Sequence, residues 1–258
     1  PDYFGEFRDV FHERTVKQCG YDPAEPINYS QFLVDKITET IRSADKAVYP
    51  SNISFSKGIC AGIAFNRRFR MKDGSTGWNP GKLNPQIIEP LGPVDESVPV
   101  LSIFQENTKL PSAILTGYAM HLAILIDANY SADYPYYLEK KLKGSISPEL
   151  FTHFLQSPCC EVNHIDVSTP EEQSGHQWAK VVGDKLAGSV YEIIQEERSF
   201  LQPDIKVKSK IVTLELQEFP EEEVEKQRKL WHDPARADLY FLDVVHAGKV
   251  ASIYDRHY

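Results

Sequence analysis

The sequence lacks the long apolar run that a membrane-spanning helix requires. Crossing a bilayer takes about 20 consecutive apolar residues, and no stretch of these 258 residues reaches that length. The sequence also lacks an excess of positive charge, since 28 Lys and Arg oppose 37 Asp and Glu and leave a net charge of −9. A chain with that charge and no basic stripe is a poor candidate for binding nucleic-acid backbones.

Cysteine is scarce, and its spacing gives no support to the common small metal and redox motifs. Cys19, Cys60, Cys159 and Cys160 form no Cys-x-x-Cys pair, so zinc-ribbon and thioredoxin-like readings are unsupported. The adjacent Cys159 and Cys160 are unsuited to pairing with each other, because a vicinal disulfide strains the backbone. The disulfide status of all four stays open. The GxGxxG, P-loop, HExxH and GxSxG signatures are absent as well.

Hydrophobic periodicity predicts alternating helices and strands. Apolar residues recur at helical spacing in Asn28–Val48 and Gly175–Glu197, and shorter helices are predicted at Tyr134–Leu142 and Pro220–Trp231. Strands are predicted at Ile53–Phe65, Val98–Gln105, Ser112–Met120, Ile205–Leu216 and, as a buried strand, Leu150–Leu155. Glu106–Leu110 predicts a hairpin between the second and third of these strands. This mixture favours an α/β fold, a mixed β-sheet with flanking helices in a single large domain.

Residues 66–96 predict a long ordered loop region, because four prolines and regular turn dipeptides punctuate the segment. Loops of this length inside a domain are usually functional or disordered. Asn66, Arg67 and Arg68 open the region. A guanidinium there is suited either to holding a substrate carbonyl or headgroup or to a surface salt bridge.

The segment Gln156–Asp166, QSPCCEVNHID, concentrates polar groups between a predicted strand and a long helix. Such turns commonly carry the chemistry of α/β enzymes. Glu161, Asn163, His164 and Asp166 are candidates for a base, an oxyanion donor or a ligand. The candidate nucleophiles in the segment are Ser157 and Cys159.

His121 and Asp133 are further candidates outside that segment. His121 directly follows the apolar strand that ends at Met120, a position suited to a metal ligand or an acid–base group, or to a partly buried structural histidine. Asp133 lies before a predicted helix. It is suited to orienting His121, to capping the helix, or to both.

Several motifs together resemble one protein family in their order and spacing: NRRFRMKDG (66–74), NPGKLNP (79–85), GPVDESVPVL (92–101), the strand ending at His121, SADYP (131–135) and EVNHIDVS (161–168). The series is similar to the catalytic domain of the neutral/alkaline non-lysosomal ceramidases, especially the bacterial ceramidase-like branch. That family consists of zinc-dependent amidases that cleave the N-acyl bond of ceramide. The resemblance implies a small-molecule or lipid substrate and a place in sphingolipid metabolism.

The resemblance also implies roles for individual residues. His121 falls on a zinc ligand, Arg67 on an active-site arginine, and Asn163 on the nucleophilic serine, with Glu161 and His164 beside it. Asn66 and Asp133 are expected at the substrate. Because an amide is not a nucleophile at neutral pH, the replacement of serine by Asn163 shifts the expected attacking group to a zinc-bound water.

The resemblance further implies that residues 1–258 are the central part of such a domain. A His-Thr-His-Ser-Gly zinc-ligand segment is expected before Pro1, and Glu and Tyr ligands are expected beyond Tyr258. A secreted or periplasmic location is implied by the resemblance alone. Two alternatives stay open: a lipid- or glycan-binding relative without catalysis, and a hydrolase that uses Ser157 or Cys159. The sequence leaves the oligomeric state undetermined.

Overall fold

The computed structural model describes residues 16–17, 20, 29–126, 129–196, 199–202, 204–233 and 240–255. The chain divides into two compact units, residues 1–203 and 204–258. None of the helices in these ranges is both long and apolar enough to cross a membrane. Cys19 lies outside the described residues.

The first unit includes nine strands and three helices whose bounds lie within the described residues. The strands are β1 (Ser51–Ile59), β2 (Phe65–Asn66), β3 (Arg68–Met71), β4 (Thr76–Trp78), β5 (Ile87–Pro90), β6 (Ser97–Gln105), β7 (Ala113–Tyr118), β8 (Phe151–Gln156) and β9 (Val162–Asn163). The helices are α1 (Tyr29–Lys46), α2 (Tyr134–Ser145) and α3 (Gly175–Gln195). This mixture confirms the predicted α/β class.

A four-stranded sheet with the order β1-β6-β7-β8 forms the centre of this unit. β6 and β7 are antiparallel neighbours, as the predicted hairpin requires, and β1 is antiparallel to β6, while β8 runs parallel to β7. A parallel neighbour needs a crossover connection, and α2 lies in the chain between β7 and β8. The sheet is therefore mixed, as predicted.

Helices α2 and α3 cover one face of this sheet and enclose the core. α3 contributes a buried stripe that includes Val182, Leu186 and Val190, and burying each such side chain stabilises the fold by about 1.5–3 kcal/mol. Gly183 lets α2 approach closely, because a Cβ there would lie 2.5 Å from the Tyr134 carbonyl oxygen. Gly58 in β1 similarly faces the Ile193 side chain of α3.

The other face of the central sheet carries exposed apolar side chains. Phe55 and Ile59 of β1 are 50% and 71% exposed, and Phe151 and Leu155 of β8 are 62% and 51% exposed. The prediction of a buried strand at Leu150–Leu155 was therefore wrong about burial, although the strand exists. Phe151 and Leu155 lie on the face opposite the helices, whereas Leu150 is buried and Phe154 packs against the core. An apolar run does not reveal which of its residues face the covered side.

The predicted long loop of residues 66–96 contains short strands. β3 pairs with β4 and β5 in a three-stranded antiparallel sheet, and β2 pairs with β9 in a separate two-stranded sheet. β1 ends at Ile59, so the predicted strand Ile53–Phe65 is divided. Gly62, with a φ of 71°, lies between its two parts. Strands of two to four residues are too short to show clear alternation in the sequence.

The second unit contains α4 (Glu221–His232) and α5 (Phe241–Asp255). α4 confirms the helix predicted at Pro220–Trp231, and Trp231 packs against Gly248 of α5. The strand predicted at Ile205–Leu216 was wrong, because these residues form no regular structure and Ile205, Val207 and Ile211 are 87–97% exposed. Alternation alone does not make a strand where no neighbouring strand completes the hydrogen bonds.

Candidate active site

The pairing of β2 with β9 brings together the two polar segments predicted as functional. Phe65 lies opposite Asn163, and Asn66 lies opposite Val162. Just beyond this ladder, the Arg67 N–H donates to the Glu161 carbonyl at 2.8 Å, and the His121 N–H donates to the Val162 carbonyl at 3.2 Å. Segments that are distant in sequence therefore meet at one place.

Arg67 occupies the centre of this meeting point. Its Nη2 donates to the Cys160 carbonyl oxygen at 2.7 Å and lies 3.1 Å from Nε2 of His121. Its guanidinium carbon lies 4.2 Å from the centroid of the Trp78 ring, a cation–π distance. No acceptor among the described residues meets its buried Nε. The side chain is thus held in place while one donor is left over.

Both the nitrogen and the oxygen of the Asn163 side-chain amide make hydrogen bonds. Nδ2 donates to Oδ1 of Asn79 at 3.0 Å, and Oδ1 accepts from the Ile165 N–H at 3.0 Å. The residue is 5% exposed. Asn79 has a φ of 44°, a conformation that asparagine tolerates better than most residues. Asn163 therefore fixes the turn after β9 and presents no nucleophilic atom.

Glu161 and Asn66 make mainly structural contacts. The carboxylate of Glu161 is paired with the Arg68 guanidinium. Oδ1 of Asn66 accepts from the Arg68 N–H at 2.9 Å, and Nδ2 of Asn66 faces Gly92, where a Cβ would lie only 2.9 Å away. The assignment of Glu161 to catalysis and that of Asn66 to substrate binding stay predictions.

His121 lies between several groups. Its Nε2 is 3.0 Å from the Cys160 carbonyl oxygen, in addition to the Arg67 contact. Its Nδ1 lies 3.7 Å from Sγ of Cys159, and that sulfur accepts from Nε2 of Gln156 at 3.1 Å. The imidazole therefore has a neighbour at each ring nitrogen.

The zinc ion implied by the resemblance does not fit these described residues by themselves. The part of the chain that is described contains no group of three His, Cys, Asp or Glu side chains placed to hold a metal. The Arg67 cation also stands at Nε2 of His121 and opposes the approach of a second cation. A catalytic zinc usually has three protein ligands, so a zinc ion at His121 would need further ligands from outside the described residues.

His164 is almost fully buried, at 4% exposure. Burial lowers the pKa of its imidazole below the ordinary value, and this effect outweighs the Asp133 charge and a hydrogen bond to the Gln173 backbone, which both raise it. Its Nδ1 has no partner among the described residues. The neutral ring therefore keeps an acceptor lone pair at Nδ1.

Asp133 caps α2, which confirms the capping prediction. One carboxylate oxygen accepts from the Tyr134 N–H at 2.6 Å. The other accepts from the N–H groups of Ile124 and Leu125, both at 2.9 Å. With three backbone donors on its carboxylate, Asp133 organises the chain that follows His121. Its assignment to substrate binding stays a prediction.

A cleft of about 700 Å³ opens beside Asn163. Of the predicted site residues, Arg67, Asn163 and His164 line it. The sequence did not single out the other polar lining residues, which include Asn79, Lys82 and His176. The first two belong to the NPGKLNP turn, whose asparagines and glycine were the available signal. His176 lies in the first turn of α3, and no local pattern marked it.

No model of a known protein family matches the chain, and no curated protein matches it. Among solved structures, the chain is similar to the neutral ceramidase from Pseudomonas aeruginosa, with 18% identity over 63% of this chain and a TM-score of 0.47. It is also similar to a ceramidase complexed with C2, with 18% identity over 63% of this chain and a TM-score of 0.48. In both cases the chain spans 25% of the length of the other protein.

Proposed function

We propose that this chain forms part of a ceramidase-like hydrolase that cleaves an amide (N-acyl) bond in a small-molecule or lipid substrate. The observation that carries the proposal is the convergence of Arg67, His121 and Asn163, since Arg67 contacts His121 directly and lines a cleft together with Asn163. These are the residues to which the motif series assigns the chemistry.

Amide hydrolysis needs a polarised carbonyl, an attacking group and a proton for the leaving amine. Arg67 supplies fixed positive charge at the lining of the cleft, which suits it to the carbonyl oxygen. Asn163 has a second N–H beyond the one it gives to Asn79. His121 is the group suited to moving a proton, because a neutral imidazole accepts at one nitrogen and donates at the other.

A turnover assay with a matched arginine control tests this proposal. The full-length protein is given a short-chain N-acyl sphingosine carrying a fluorescent acyl group, and release of the labelled acid is measured. Arg67→Ala is expected to lower kcat/KM by about a hundredfold, the typical cost of losing a donor to a developing oxyanion. Arg70→Ala removes a nearby arginine that is paired with Glu89 outside the cleft, and should leave turnover within about twofold of wild type. Equal losses in the two variants would contradict the assignment.

Zinc binding by His121 is a separate part of the proposal. It depends on ligands outside the described residues. Metal analysis of the full-length protein tests it, with the wild-type zinc stoichiometry compared with that of His121→Ala. Loss of zinc in the variant would support His121 as a ligand, and unchanged zinc content would reject it.

A second function, ligand binding without catalysis, is favoured by the state of Asn163. Both ends of its amide are engaged in holding the turn, and it carries no hydroxyl. This alternative predicts that the fluorescent N-acyl sphingosine, or a glycan probe, binds with a measurable anisotropy change and is never cleaved. Hydrolysis that disappears in Arg67→Ala but persists in Arg70→Ala would exclude it.

A further inference from the structure

The central sheet presents a continuous apolar surface on the face opposite α2 and α3. In β6 and β7, side chains buried against the helices alternate with partly exposed ones, which include Leu101 and Leu115. The strand register aligns one row of side chains across all four strands, namely Phe55, Leu101, Leu115 and His153. This row, together with Ile59, Phe151 and Leu155, defines the open face of the sheet.

The open face is large enough to mark an interaction surface. Its outer strands contribute four large apolar side chains that are each at least half exposed: Phe55, Ile59, Phe151 and Leu155. One aromatic side chain buries about 150–250 Å² when it is covered, so the four together leave several hundred Å² of apolar surface uncovered. Exposed apolar patches of about 300–600 Å² are often functional.

Helix α1 carries a second exposed apolar surface. Leu33, Ile37 and Ile41 recur every four residues and therefore form one stripe along the helix, which we call the α1 stripe. These three side chains are 42–63% exposed, while Glu39 and Arg42 lie on the opposite side of the helix. An amphipathic helix of 18 residues gains most of its stability from packing its apolar face, so the α1 stripe requires a partner surface.

The connection between α1 and β1 is short and stiff. It consists of residues 47–50, and Pro50 restricts the preceding Tyr49 to extended backbone. The Tyr49 hydroxyl also lies 3.4 Å from Oγ of Ser112, next to the start of β7. Such a connection has little freedom to turn α1 back over its own sheet. Within one chain, the α1 stripe and the open face are accordingly both exposed.

We propose that a second copy of this chain covers the open face, in a two-fold dimer in which α1 of each copy packs its stripe on the sheet of the other. The contact is reciprocal, as a two-fold interface requires, and it covers both exposed surfaces of both chains. The lengths match, because the 18 residues of α1 span about 27 Å and the nine residues of β1 span about 30 Å. Two such contacts reach the about 1,200–2,000 Å² that a stable interface buries. This inference is independent of the proposed amidase activity.

Sedimentation velocity of the full-length protein between about 1 and 100 μM tests the dimer. Wild type should dimerise in this range, and Ile41→Asp and Phe55→Asp should each raise the dimer Kd at least about a hundredfold, because each places a charge in the apolar contact. Arg42→Asp puts the same residue on the charged side of α1 and should keep the wild-type Kd. A monomeric wild type, or a dimer that either Ile41→Asp or Phe55→Asp leaves unweakened, would overturn the proposal.

A mixture of the two weakened variants identifies which surfaces pair. Phe55→Asp keeps an intact α1 stripe and Ile41→Asp keeps an intact open face, so native mass spectrometry should detect their heterodimer at concentrations where each variant alone is monomeric. The heterodimer would also show that both variants are folded, and its absence would reject the exchange of α1.

Other occupants of the open face give different results. A sheet-to-sheet dimer would persist in Ile41→Asp, and a helix-to-helix dimer would persist in Phe55→Asp. A monomeric wild type that sediments with phosphatidylcholine vesicles, and loses this binding in Phe55→Asp, would assign the open face to a lipid surface. Each of these three results would overturn the proposal.

Discussion

The guanidinium of Arg67 lies over the ring of Trp78, with 4.2 Å between its central carbon and the ring centroid. The same side chain donates to the Cys160 carbonyl at 2.7 Å. One arginine therefore connects the β3–β4 hairpin with the turn that precedes β9. Stacking and hydrogen bonding together fix its plane, which a flexible ammonium group would not reproduce.

Replacing Arg67 by lysine is therefore expected to destabilise the fold, because lysine loses the planar stacking on Trp78 and has no second donor in a fixed fork. We expect a loss of about 1–2 kcal/mol in the free energy of unfolding, measured by urea denaturation. Arg70→Lys is the matched control, since Arg70 makes an exposed pair with Glu89, and should change stability by less than about 0.5 kcal/mol. Equal effects would show that Arg67 is not held as described.

Asp133 combines a cap with a strained backbone. Its φ of 56° and ψ of −147° are strongly disfavoured for residues other than glycine, while three backbone N–H groups bind its carboxylate. Asp133→Ala removes these acceptors and keeps the strain, so the free energy of unfolding should fall by about 3 kcal/mol or more. Asp133→Gly relieves the strain and should be less damaging by about 1–2 kcal/mol. This account would be contradicted if thermal or chemical denaturation showed the Asp133→Ala variant to be more stable than the Asp133→Gly variant.

Replacing two glycines of α3 by alanine should change the stability of the protein in opposite directions. At Gly183, an added Cβ would lie 2.5 Å from the Tyr134 carbonyl oxygen, whereas at Gly188 it would meet nothing within 4 Å. Gly183→Ala should therefore destabilise the protein by about 1–3 kcal/mol through overpacking. Gly188→Ala should stabilise it by about 0.5–1 kcal/mol through helix propensity. Denaturant midpoints of the two variants measure this difference, and stabilisation by Gly183→Ala would show that α2 and α3 are not in this close contact.

His164 should make stability depend on pH. Because burial holds its pKa below the unfolded-state value, the unfolded chain binds a proton more readily. The contribution of neutral His164 to the free energy of unfolding is therefore complete above the ordinary histidine pKa of about 6.5. It declines as the pH falls toward the lower pKa of the folded state. The expected slope in that window is at most about 1.4 kcal/mol per pH unit.

Urea denaturation of wild type and His164→Gln between pH 7.5 and 5 checks this expectation. The variant should show a shallower decline of stability with acidification than wild type. His153→Gln, which changes an exposed histidine of β8, should keep the wild-type slope. A decline of the same steepness in His164→Gln would assign the acid sensitivity to other groups.

Long periodic segments and local turn chemistry could be predicted from the sequence. The stripe of α3, the β6–β7 hairpin and the Asp133 cap rest on residues close together in the chain, so local spacing contains the information. The polar segment around Asn163 could also be located, because its side chains are crowded between a strand and a helix. The remaining features depended on partners that local spacing does not specify. The strand predicted at Ile205–Leu216 is not formed, and the two-residue strands β2 and β9 exist only through each other.

The sequence by itself determined the α/β class, the helix and hairpin positions and the set of candidate side chains, because these follow from periodicity, composition and capping. Only the tertiary structure decided which candidates meet. In the folded chain Arg67 contacts His121, the amide of Asn163 donates to Asn79, and the Cys159 thiol lies beside Nδ1 of His121. Each of these contacts joins residues that are 38 or more positions apart in the chain, and no local preference specifies such a distance. They form only when the sheet and its helices bring the segments together.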